Sequence, residues 1–182
     1  MLKKIRGFTL IELLIVVAII GILAALLIPN ALSAIQKAKQ KGTMKDINSI
    51  ATAITDFITD NGTAPVHDGA LAAGDSLYTA LSGFYLKVLP QNDQWGSAFL
   101  VYGGSDAVIG TEYGITESAD DEFLVVSWGR DRADGPAFTY LQNDPASVYF
   151  SITGLTSFNE DLVNWSGSWI HVPKSAQLGA GT

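Results

Sequence analysis

Hydrophobic positions change their pattern three times along the chain. Behind the basic residues Lys3, Lys4 and Arg6 lies a run from Leu13 to Ile28 that is apolar on every side, with Glu12 as the only charge between Arg6 and Ile28. About 20 such residues, rising about 1.5 Å each in a helix, are enough to cross the hydrocarbon core of a bilayer. From Ala31 the pattern turns amphipathic. Ile35, Ala38, Met44, Ile47, Ile50 or Ala51, Ile54, and Phe57 or Ile58 recur at three- and four-residue spacing, which predicts a helix with one face against a globular head. Pro29 removes a backbone donor and clashes with the preceding turn, so a kink or a locally opened turn is expected there. Asp60-Asn61-Gly62, with Pro65 soon after, ends the helix. The whole is a single helix of about 50 residues beginning at Phe8.

Beyond it the pattern shortens. Asp75 or Ser76 opens a short helix that Gly83 closes. Alternation from Ala98 to Tyr102 and the apolar stretch from Glu122 to Trp128 predict strands, and Val148 to Ile152 and Trp169 to Val172 are strand-like. Gly103 to Asp121 reads as a long hairpin or surface loop. The expected fold class is α+β: a long N-terminal helix, its first half membrane-spanning, packed on a small antiparallel β-sheet head. Four segments follow: a leader at 1–7, a transmembrane and assembly helix at 8–30, an amphipathic helix at 31–62, and a head at 63–182.

Charge sharpens this division. The positive leader stays in the cytoplasm by the positive-inside rule and the rest is sent across the membrane. The chain carries a net charge of -7, but beyond Lys45 it has 4 basic against 17 acidic residues, or -13. An acidic head excludes nonspecific nucleic-acid binding, which needs a basic patch, and no nucleic-acid partner is expected. Lys37, Lys39, Lys41 and Lys45 cluster just past the apolar run and read as a solvated face touching lipid headgroups. With no cysteine, disulfides and thiolate metal sites are excluded.

Glu12 carries the chemistry of the first half. A carboxylate near the end of a lipid-facing helix costs several kcal/mol unless protonated or paired, and such charges mark function. If the chain were cut after Gly7, the new amine would stand on Phe8, four residues away. Inside a regular helix the two cannot easily meet, but Glu12 can reach the amine of an identical neighbour stepped along an axis. Charge neutralisation between copies would then set the stagger of a polymer.

Gly7-Phe8-Thr9-Leu10-Ile11-Glu12, followed by Leu13 to Ile28, Pro29 and Asn30, resembles the N-terminus of the type IV pilin and type II secretion pseudopilin family. The resemblance implies that a prepilin peptidase cleaves between Gly7 and Phe8 and methylates the Phe8 amine. It also implies that Glu12 pairs with a neighbouring subunit's N-terminus and that Pro29 marks where the helix loosens in the filament. The implied partners are further copies in a homopolymer, the peptidase, an inner-membrane assembly platform, and minor pilins or pseudopilins. The precursor would be a single-pass inner-membrane protein with a periplasmic head, later part of a periplasmic pseudopilus or a surface pilus.

A second resemblance lies in the head. The short helix, Tyr85-Leu86-Lys87-Val88-Leu89-Pro90, Asp93-Gln94-Trp95-Gly96 and the strand ending in Tyr102 are similar to the major pseudopilins of type II secretion, which have proline where Gln94 stands. Ser127-Trp128-Gly129-Arg130-Asp131 resembles the segment that opens a calcium-binding loop in those proteins. Asp131 carries over by position, and Asp134 is added on chemistry, because calcium prefers carboxylate and carbonyl oxygens from a loop. A solvated acidic turn between Arg130 and Arg132 is the alternative, so calcium is a possible cofactor and none is required.

Three rival readings compete with this one. A secretory signal peptide has a similar basic start, but here the apolar run is long, contains Glu12 and continues as a helix. A surface pilus subunit, for adhesion or motility, would suit the roughly 40 residues after Asn143, although the two head motifs and the missing cysteines favour the secretion pseudopilus. A membrane-anchored binding module could hold a ligand on Trp165 and Trp169, whereas core or subunit contact is the usual use of such aromatics. No nucleophile with a base, no metal-ligand spacing and no phosphate loop is present, so no enzyme is expected. His67 and His171 read as surface residues.

Overall fold

The computed structural model describes residues 8–104, 113, 115, 119–133 and 145–174. Helix α1 runs over Leu10–Asn61, 52 residues, without a break at Pro29. The opened turn expected there is therefore absent from the single chain. Proline takes the donor away from the Ala25 carbonyl, and one residue on Asn30 Nδ2 donates to the Leu26 carbonyl at 3.3 Å. The chain divides into two compact units, one ending at Gln36 and one running from Lys37 to the C-terminus.

In the first unit the large apolar side chains of the helix are exposed. Leu10 is 81% exposed and Val16 still 46%, and no residue of its most apolar 18-residue window is buried. A helix apolar all round requires lipid or other helices.

The second unit is built on the amphipathic half of α1. Ile47, Ile50 and Ile54 are fully buried and pack with Leu77 and Leu81 of α2 (Ser76–Leu81) and with Phe99, Val101, Phe123, Val125 and Leu162. Six strands form the sheet: β1 (His67–Ala70), β2 (Leu100–Gly103), β3 (Phe123–Ser127), β4 (Tyr149–Phe150), β5 (Leu162–Trp165) and β6 (Ser168–Pro173). They are ordered β1-β2-β3-β5-β6-β4. All pairings are antiparallel except β4 with β6, which is parallel, so the expected antiparallel sheet head is present, with one parallel pair at its edge.

Central strand β3 is buried at all five positions. Phe123 and Val125 face α1, while Leu124 and Val126 join a second cluster with Leu100, Val163, Ile170, Tyr113 and Ile115. Successive strand residues point to opposite faces, so both faces of the sheet are covered. Tyr113 and Ile115, each 4% exposed, lie within the stretch read as a surface loop, and the second core corrects that reading at these two positions.

Candidate functional site

The assembly end of α1 is closed by its own side chains. The Thr9 backbone N–H and Thr9 Oγ1 both donate to Glu12 Oε2, at 2.9 and 2.7 Å, and the Glu12 N–H donates to Thr9 Oγ1 at 3.3 Å. This is the capping box, a threonine and a glutamate three residues apart that satisfy each other's backbone donors at a helix start. Sequence reasoning assigned Glu12 to an intermolecular partner and missed this local one, although the Thr-x-x-Glu spacing was its signal. Among the described residues Glu12 Oε1 has no partner. A carboxylate can accept about four bonds, so capping leaves one oxygen for an amine from outside. Phe8 is 78% exposed beside it. Gly7 lies outside the described residues.

In the head, the structure joins the two motifs that sequence reading kept apart. Asp93 is 5% exposed. Its Oδ1 accepts from the Trp95 and Ser97 backbone N–H groups, each at 2.9 Å, and its Oδ2 accepts from Ser127 Oγ at 2.8 Å. Ser127 Oγ in turn accepts from the Gly129 N–H at 3.3 Å. Arg132 closes the junction from the far side by donating through Nη2 to the Trp95 carbonyl. Gln94, for which the resemblance implies a proline, has its own use. Gln94 N–H donates to Thr43 Oγ1 at 3.2 Å, a bond proline cannot make, and its side chain donates to Asp46 at 2.8 Å. Both tie the turn to α1.

The turn after β3 is anchored on one side by Arg130, whose backbone N–H donates to the Phe158 carbonyl at 2.8 Å and whose Nε donates to Asn159 at 3.0 Å. Gly129, at φ +70°, has the carbonyls of Phe158 and Glu160 2.8 Å from where a Cβ would stand, so only glycine fits. Asp131 is exposed and accepts one bond, from the Ala133 N–H at 3.3 Å. Asp134 lies outside the described residues. Among the described residues no three acidic or histidine side chains gather as a metal site. Among the described residues the carboxylate this turn offers is that of Asp131.

Trp165 and Trp169 do not form a shared platform. They flank the two-residue turn Ser166-Gly167, whose φ values of 47° and 83° suit a tight hairpin. Trp165 packs with the outer cluster and Trp169 with the cluster facing α1. Ligand stacking on both at once is ruled out by their placement on opposite faces of the sheet.

The histidine expectation also needs correction. His67 is half-buried, and His171 is 7% exposed with Nδ1 2.7 Å from the Asp161 carbonyl. Burial holds the His171 pKa below its usual value, against the smaller opposing pulls of the Asp161 carbonyl and Glu160. The neutral ring donates from Nδ1 and serves packing beside Phe150.

An exposed apolar helix opening on a glutamate, joined to a small sheet head, defines the class of prepilin-like subunits. The family model described as the prokaryotic N-terminal methylation motif matches residues 2–28. The chain is 36% identical over 104 residues to a type II secretion system core protein G of Aeromonas hydrophila, covering 53% of this chain and 72% of that one. It is 31% identical over 132 residues to the core protein G of Klebsiella pneumoniae, covering 66% and 94%, and 31% identical to that of Escherichia coli K12, covering 62% and 90%. The chain belongs to the type II secretion core protein G family, the major pseudopilins of the wider type IV pilin group. No solved structure matches it significantly.

Proposed function

We propose that this chain is the polymerising subunit of a type II secretion pseudopilus, cut after Gly7, methylated on Phe8, and assembled through Glu12. The observation that carries this is the apolar helix from Leu10 to Ile28, with none of its most apolar window buried and a single carboxylate at its start. Before assembly, lipid covers that surface; in the filament, copies of the same helix replace lipid, with van der Waals packing as the driving term. Glu12 Oε2 holds the helix start, and Oε1 accepts the Phe8 amine of the next subunit. Such a pair, withdrawn from water, costs little only while both partners are present. Pro29 supplies a place where the helix opens during assembly, because the Ala25 carbonyl already lacks its donor. The peptidase, the inner-membrane platform and minor pseudopilins are the further partners, with the head in the periplasm. A calcium ion at the turn after β3 would be held by Asp131, with Asp134 as a second carboxylate.

The test is the pair of Glu12→Leu and the unchanged chain in cells that carry the secretion machinery. The variant should be processed and inserted, with the mature mass short of Met1 to Gly7 and heavier by one methyl group, yet yield no sheared filaments. Normal filaments from Glu12→Leu would remove the pairing role; retention of the first seven residues in the working protein would remove the reading itself.

A further inference from the structure

Next to the amphipathic half of α1 the head has a cavity of ≈ 530 Å³, lined by Lys37, Gln40, Lys41 and Met44 of α1, by Ile152 after β4, and by Lys174 after β6. That volume lies within the range of about 300–1,000 Å³ typical of small-ligand sites. A shallower groove continues from it along α1 past Lys41 and Met44 to Lys45. Lys37, Lys41 and Lys45 stand four residues apart, which places them in a row on one helix face.

The charged groups around this cavity are all lysines, joined by the Gln40 amide and the Ser151 hydroxyl. Lysine ammonium groups donate and cannot accept, and among the described residues Lys37, Lys41, Lys45 and Lys174 enter no ion pair. Gln40 is 3% exposed, and among the described residues its Nε2 has no acceptor. A buried amide donor without a partner is uncommon and calls for an explanation. Among the described residues no acidic side chain lines the cavity, although the chain beyond Lys45 is strongly acidic. The missing complement is an anion with several acceptor oxygens and an apolar portion to lie against Met44 and Ile152.

We infer that this cavity binds the phosphate headgroup of an anionic phospholipid, seating the head on the membrane surface before the subunit is drawn into a filament. Lys37 follows Ile28, the end of the apolar run, by nine residues, so the chain delivers the cavity's first lysine close to the headgroup layer. The inference rests on the membrane-anchored reading above and goes beyond it by assigning a ligand class and a site. It also explains why a strongly acidic head keeps its lysines together and unpaired: they are reserved for a surface that repels the rest of the head. Lipid held here would compete with assembly, since a subunit leaving the bilayer must release it.

The experiment takes the full-length processed protein in a neutral detergent and counts retained lipid by native mass spectrometry, offering dioleoyl phosphatidylglycerol or dioleoyl phosphatidylcholine. The anionic lipid should be retained on the order of tenfold more than the zwitterionic one. Lys37→Ala/Lys41→Ala/Lys174→Ala should abolish the preference, and Gln40→Glu, which places a carboxylate at the cavity, should do the same. Lys39→Ala/Lys87→Ala, with lysines outside the cavity, should retain it. Equal retention of the two lipids by the unchanged protein overturns the inference. So does displacement of the lipid by an equimolar amount of inorganic phosphate, which would make the site one for the free ion. A triple variant that keeps its lipid preference but forms no filaments would assign the cavity to a neighbouring subunit instead. The membrane-anchored reading fails separately, as protein that leaves membranes without detergent.

Discussion

Asp93 shows how much one buried side chain can hold. Three donors from two distant turns meet its carboxylate, and each would be left unsatisfied by truncation. Leaving a buried donor without a partner costs about 1–3 kcal/mol, so Asp93→Ala should lose about 3 kcal/mol or more in urea unfolding. Asp93→Asn keeps Oδ1 for the two backbone groups and turns an amide toward Ser127 Oγ, which can accept; about 1 kcal/mol is expected. Equal losses from the two substitutions would mean that the carboxylate's charge, and not its acceptor geometry, holds the junction. His171 makes a different kind of prediction. Its folded pKa lies below the usual 6.5, so between the two values the unfolded chain binds more protons. Stability from this group is therefore complete above about pH 6.5 and declines as pH falls below it. Melting at about pH 7.5 and about pH 5.5, both above the carboxylate range, should show a drop in the unchanged protein. His171→Gln should flatten that drop, and an undiminished slope in the variant would place the titrating group elsewhere.

Among the elements, α1 and the turn at Gln94 are coupled through a glycine. A Cβ on Gly42 would stand 2.9 Å from Gln94 Cγ, while alanine in a helix interior is normally worth about 1 kcal/mol over glycine. Gly42→Ala should therefore destabilise the protein with Gln94 present, and stabilise it by about 1 kcal/mol in a Gln94→Ala background. The same effect in both backgrounds would refute the contact. This turn also marks the limit of what the sequence discloses. Helix α1 was legible because an apolar run long enough to span a bilayer passes into a three- and four-residue repeat that ends at Asp60-Asn61-Gly62, and Phe123 to Ser127 was legible as an apolar run bounded by turns. Strands β1 and β5 were not. His67-Asp68-Gly69-Ala70 has no apolar alternation and is a strand only because β2 pairs with it. Leu162 to Trp165 hides its period behind Asn164, a fully buried amide that accepts from the Gly167 N–H at 3.0 Å to close the hairpin. Trp95 and Ser127 were each recognised, but 34 residues separate Asp93 from Ser127, and no local pattern could report that they bond. The N-terminal methylation motif was legible for the opposite reason: its residues are contiguous in the chain, so the signal is local.

At the scale of the molecule, the two compact units divide the work of folding from the work of assembly. Every side chain in the two hydrophobic clusters lies after Lys37, the earliest being Ile47 in the one and Leu100 in the other. Among the described residues no side chain of the apolar half of α1 belongs to either cluster. A fragment beginning at Lys37 should therefore remain soluble and monomeric, and should unfold in a single cooperative transition. Its midpoint should match, within a few degrees, that of the full chain in detergent, since a difference of 1 kcal/mol moves the midpoint of a domain of this size by about 2–4 °C. A much lower midpoint, or loss of cooperativity, would show that the membrane half stabilises the head. The same fragment decides the calcium question. With a site at Asp131, adding calcium raises the midpoint through preferential binding to the folded state, chelator reverses the rise, and Asp131→Ala abolishes it. A midpoint indifferent to calcium and chelator would leave Asp131 as a solvated turn residue and leave the junction at Asp93 to hold this end of the sheet without metal.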